Sequence, residues 1–115
     1  MKNRDRIRDR YLKDALPVRL GGLAADLRRI SSSARRPGAA IQVAMMLEES
    51  QYFIEWAAPD MDIDVAGEMV ELQLELALWK RSWPEAQKNP SQCSLLALQA
   101  RRWSDRVLAL SGLLA

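Results

Sequence analysis

The sequence predicts an all-α protein: an antiparallel four-helix bundle preceded by a short N-terminal helix or mobile arm. Three observations carry that expectation. Leu and Ala supply 33 of the 115 residues while Val and Ile supply five each, an excess of strong helix formers. No segment alternates apolar and polar residues with period two. Pro and Gly fall between long periodic runs, at Pro17, Pro37-Gly38, Pro59, Pro84 and Asn89-Pro90, the places where helices are punctuated.

Residues 3–13 alternate Arg and Asp with only Ile7, Tyr11 and Leu12 to bury, which predicts a frayed helix or a mobile arm. Asp14 is then expected to cap a helix with Pro17 in its first turn, where a missing N–H is harmless. Leu16, Leu20, Leu23, Leu27 and Ile30 recur at spacings of four and three and form one stripe that ends in the polar run Ser31-Ser32-Ser33.

A second helix is expected from just after Pro37-Gly38 to about Ala58, with Ile41, Met45, Tyr52 and Trp56 on one side and Val43, Leu47 and Ile54 on another. Apolar residues on two sides imply a central position. A third begins among Asp60, Met61 and Asp62, where carboxylates suit the helix dipole, and runs to about Trp83. Its stripe is Val65, Met69, Leu72, Leu76, Trp79 and Trp83. The last helix opens with Asn89 as N-cap, Pro90 at the first position and Gln92 three residues after the cap. Leu96, Trp103, Val107, Leu110 and Leu114 give it a stripe, and Gly112 is placed to end it. Gly21-Gly22 beside Ala24-Ala25 forms a small notch, expected to accept a close helix crossing against Ala66-Gly67 or, alternatively, a ligand.

One domain covers residues 1–115, with residues 1–13 as a flexible basic arm. The single cysteine, Cys93, can form no internal disulfide, the first residues lack the apolar run of a signal peptide, and no window is apolar enough to span a bilayer. A cytoplasmic protein is expected. Peripheral association with a membrane surface stays compatible with the sequence.

Histidine and threonine are absent. That removes His-based acid–base chemistry and the Glu-x-x-His ligands of di-iron bundles, so neither an enzyme, nor a metal, nor a cofactor is expected. Cys93 in the first turn of the last helix has no His to activate it and reads as an incidental thiol.

Charge is more informative than its net value of +2. Residues 1–36 carry eleven Lys or Arg against four acids, residues 37–79 carry nine acids and no Lys or Arg, and residues 80–115 carry six basic residues against two acids. Either Glu48, Glu55, Glu68, Glu71 and Glu75 meet arginines of the flanking helices, or the surface is two-faced. In the second reading a basic end, with Arg28, Arg29, Arg35 and Arg36, attracts an acidic partner, and an acidic ridge of Glu68, Glu71 and Glu75 attracts a basic one. These seven residues are the candidate interaction residues. Leftover apolar positions such as Leu74, Leu78, Leu95 and Leu98 would serve an apolar interface, and Trp83 and Trp103 would anchor a partner near helix ends.

The stretches LPVRLGGLAADLRRI and LEESQYFIEWAAPDMDIDVAGEMVELQLELALWKRSW, with the tail SGLLA, resemble a small group of all-helical cyanobacterial proteins of about this length. The resemblance runs from Leu16 onward and rests on the Leu-Gly-Gly-Leu and Phe-Ile-Glu-Trp segments. It implies a bacterial cytoplasm, near photosynthetic membranes, and no activity. The expected function is that of a non-enzymatic interaction or adaptor protein, with a protein partner or a second copy of itself. The alternative is a nucleic-acid binder that uses Arg4, Arg6, Arg8 and Arg10.

Overall fold

In the computed structural model, which describes residues 3–113, every regular element is helical. The order is α1 (Arg4–Leu12), α2 (Leu16–Ser33), α3 (Ala40–Ala57), a one-turn 3-10 helix (Ala58–Asp60), α4 (Ile63–Ala86) and α5 (Pro90–Ser111). Among the described residues there is no strand, and no helix is long and apolar enough to cross a membrane.

Packing follows the stripes. Leu20, Leu23, Leu27 and Ile30 of α2 are buried, and α2 lies most extensively against α5 and next against α3. Full burial of one such side chain is worth about 1.5–3 kcal/mol. Two serine hydroxyls tie α2 to α5: Ser104 donates to the Ala24 carbonyl and Ser31 to that of Ala97, each at 2.7 Å. Between α3 and α4 the Trp83 indole donates to the Ala40 carbonyl and the Gln73 amide to that of Gln51, both at 2.9 Å. In both pairs the residue numbers run in opposite directions. The α4–α5 seam is much thinner than either interface.

Several sequence expectations change. The N-terminal residues form a docked helix because Tyr11 gives them an anchor: its ring stacks on Phe53, centroids 4.3 Å apart and planes 4° from parallel, and its hydroxyl donates to the Arg19 carbonyl at 2.8 Å. Asp14 does not cap α2. Ala15 occupies the N-cap in extended geometry with no side-chain bond, and Asp14 instead offers its carbonyl to Arg19 Nε at 3.1 Å. The serine run does not end α2 early, because Ser32 bonds back to the Arg28 carbonyl and Ser31 is used by α5, so the helix holds through Ser33. Pro84 lies inside α4, not at its boundary. It removes one backbone donor only a turn from the end, where buried Trp83 keeps the helix on α3.

The glycine notch has a different neighbour from the expected one. A Cβ on Gly21 would stand 2.7 Å from Leu113 Cδ1, and one on Gly22 would touch the Tyr11 ring at 4.0 Å, while Gly67 is exposed and meets nothing within 4 Å. The C-terminal end of α1, through Tyr11, and Leu113 just beyond α5 therefore converge on Gly21-Gly22. On α3, Val43, Leu47 and Ile54 are buried, but of the second set only Tyr52 and Trp56 are partly covered, whereas Ile41 and Met45 are exposed. The Asn89 carboxamide caps α5 by accepting from the amides of Ser91 and Gln92, and Gly112 closes it in the left-handed region, φ 83°. Leu114, expected on the α5 stripe, lies outside the described residues.

Candidate interaction surface

A helix turns about 100° per residue, so spacings of three and four put Glu68, Glu71 and Glu75 on one strip of α4. That strip separates two apolar surfaces. On one side the thin α4–α5 seam opens into a groove of about 180 Å³, floored by buried Met69, Leu72 and Val107 and walled by half-buried Trp103. All three glutamates line it. On the other side Glu71 borders a shallow depression formed with Val70, Leu74 and Ala77. Leu74 and Leu78 are 62% and 57% exposed and continue an outward apolar face that includes Ile63 and Val70.

The three acids are not equivalent. Arg106 of α5 donates through Nε and Nη2 to the two carboxylate oxygens of Glu68, at 2.6 and 2.8 Å. This bidentate bond holds the Glu68 carboxyl below the usual glutamate range and raises the guanidinium. Glu71 and Glu75 are exposed and have no ion pair or hydrogen bond among the described residues. Farther along the seam the Trp79 indole donates to Gln99 Oε1 at 2.8 Å, so the groove is bridged at Arg106 and again at Trp79. Lys80 pairs with Glu48 at 3.4 Å across α3 and α4.

The basic candidates are divided. Arg28 pairs with Asp105 at 3.3 Å on the surface, Arg29 pairs with Asp26, and only Arg35 and Arg36 stand together in the α2–α3 turn. Arg36 reaches Gln42 Oε1 at 3.5 Å. Arg4 and Arg8 of α1 line a hollow with Tyr52, Glu55 and Trp56 of α3, where Arg4 donates to the Tyr52 hydroxyl at 2.5 Å and stands 5.0 Å from that ring's centroid. Trp83 is buried and bonded to Ala40, which removes it as a partner anchor, while Trp103 keeps a face in the groove.

Two buried polar residues escaped the sequence reading. Arg19 is buried and pairs with Asp60 at 2.9 Å, while its Nη1 has no hydrogen-bond partner among the described residues. Asp26 is 1% exposed; burial, then the neighbouring Glu49, push its carboxyl up to about 8 against the opposing pull of Arg29, and its Oδ2 has no hydrogen-bond partner among the described residues. Asp26 falls three residues after Leu23 and four before Ile30, a stripe position whose meaning was hidden by its charge.

Among the described residues no group of three or more His, Cys, Asp or Glu side chains is arranged to hold a metal ion. Cys93 is buried, with its thiol donating to the Gln87 carbonyl at 3.5 Å. The chain matches no family model, no curated protein and no solved structure.

Proposed function

We propose that this protein is a small non-enzymatic interaction protein whose acidic α4 ridge receives a basic, amphipathic helical segment of a partner protein. The observation that carries the reading is the placement of unpaired Glu71 and Glu75 on the rim of an apolar-floored groove. Apolar anchors of the incoming segment would contact Trp103 and Leu72, and its Lys or Arg residues would meet the two carboxylates. Opposite charge on such a rim steers association and sets register. The architecture that goes with this reading is an antiparallel four-helix bundle with its weakest seam at α4–α5, supported by the opposed numbering of the bonded helix pairs. The bacterial cytoplasm is its proposed setting.

The test is fluorescence anisotropy with a labelled synthetic amphipathic helix bearing Lys and Arg beside a Leu stripe, at low and high salt. Binding at low salt that weakens at least tenfold in a Glu71→Lys/Glu75→Lys variant supports the reading. No binding at low salt, or equal binding by the variant, overturns it. Light scattering in the same buffers identifies the occupant as a second copy if the unmodified protein forms a dimer that the same double substitution dissociates.

A further inference from the structure

We infer that the end of the molecule where the α2–α3 and α4–α5 turns converge is a binding site for a small phosphate-type oxyanion. This site is separate from the α4 ridge and rests on other residues.

A pocket of about 290 Å³ opens there, with Arg35, Arg36 and Lys88 among its lining residues and no carboxylate. Several arginines elsewhere are paired with carboxylates: Arg19 with Asp60, Arg28 with Asp105 and Arg106 with Glu68. Around this pocket such pairing is weak. Arg35 has no ion pair among the described residues, the hydrogen-bond partner of Arg36 is the neutral amide of Gln42, and Lys88 reaches only the highly exposed Glu85, at 3.6 Å. Three cations around one concavity repel each other, and a bound dianion relieves that repulsion while accepting the forked donors of arginine.

The backbone of the pocket is also open to a ligand. Gly38 has φ +80° and a Cβ built there would meet nothing within 4 Å, so free space lies directly against the turn. No side chain caps α3, whose first residue Ala40 lines the pocket. The positive end of α3 therefore adds to the three cations without a side-chain acceptor to quench it. The volume lies at the lower limit for small-molecule pockets, which suits an inorganic phosphate or a compact phosphomonoester.

The experiment follows backbone amide resonances of the intact protein during titration with inorganic phosphate, and separately with glycerol phosphate, against chloride at matched ionic strength. Saturable shifts confined to residues 34–40 and 87–94, weakened at least tenfold in an Arg35→Gln/Arg36→Gln/Lys88→Gln variant and unchanged in Arg28→Gln, are expected. All four positions are exposed, so the variants keep the core intact. Tighter binding of the ester than of phosphate identifies an organic phosphate as the ligand, and the reverse identifies the free ion. Shifts that chloride reproduces, or that spread over the arginines of α1 and survive the triple substitution, overturn the inference.

Discussion

Arg106 holds both carboxylate oxygens of Glu68 across the α4–α5 seam, so the first residue of the acidic ridge is a strut while the next two, Glu71 and Glu75, stay free. Arg106→Gln should raise the pKa of the Glu68 carboxyl in a carbon-detected NMR titration. The sign follows from the lowered value: any stabilisation from this pair is present above the ordinary glutamate range and disappears as pH falls through the folded one. If Arg106→Gln leaves the Glu68 titration unchanged, the strut does not exist in solution.

Asp26 has the opposite dependence. Its folded form keeps a proton up to about pH 8, whereas the unfolded chain releases it near 4, so the folded state binds the extra proton in between. Stability should fall by up to roughly 1.4 kcal/mol per pH unit across that window. Asp26→Asn, which resembles the protonated form, should flatten the profile and exceed the unmodified protein in urea midpoint at pH 9. The groups that face Asp26 are Arg29 on its own helix, Glu49 on α3 and Tyr11 on α1. An unchanged slope in Asp26→Asn would assign the pH dependence to another group.

α1 depends on one residue. Tyr11 alone is buried in that helix, so Tyr11→Ala should abolish hydrogen-exchange protection over Arg4–Leu12 while leaving α2 to α5 protected. Tyr11→Phe removes only the bond to the Arg19 carbonyl and should cost about 1 kcal/mol. Equal protection of α1 in the alanine variant would show that its arginine contacts hold it.

Two leucines two residues apart on α4 should respond very differently. Leu76 is wholly buried, and truncation to Ala should cost about 2–5 kcal/mol through lost burial and a cavity. Leu74 faces outward, and the same change should stay within about 0.5 kcal/mol while weakening any partner that uses the outer apolar face. Denaturant unfolding of the two variants measures the contrast.

The helices were legible because their stripes are long and their ends carry strong signals. Leu20, Leu23, Leu27 and Ile30, the α4 series through Trp83, and the Asn89-Pro90 start all rest on local geometry that a neighbour only reinforces. Tyr11 was underestimated because one aromatic in a charged segment has no periodicity, and its partner Phe53 lies 42 positions away. The glycines were assigned the wrong neighbour for the same reason: small residues announce a close approach without naming what approaches. The acidic ridge was legible as a strip, but the Arg106 bond, the groove beneath it and the gathering of Arg35 and Arg36 with Lys88 depend on how helices meet.

The pairing of α2 with α5 joins the first long helix to the last, as the bond from Ser104 to Ala24 shows over 80 positions. As the chain emerges from the ribosome, the Leu20 to Ile30 stripe waits for the residues of α5, as far as 80 positions further along. The largest interface cannot nucleate from a neighbouring hairpin, and its closure carries the entropy of the long intervening segment. Folding should therefore be slower than for a helical protein of equal length that packs only consecutive helices. A nascent chain halted before Pro90 should expose its apolar stripe to chaperones.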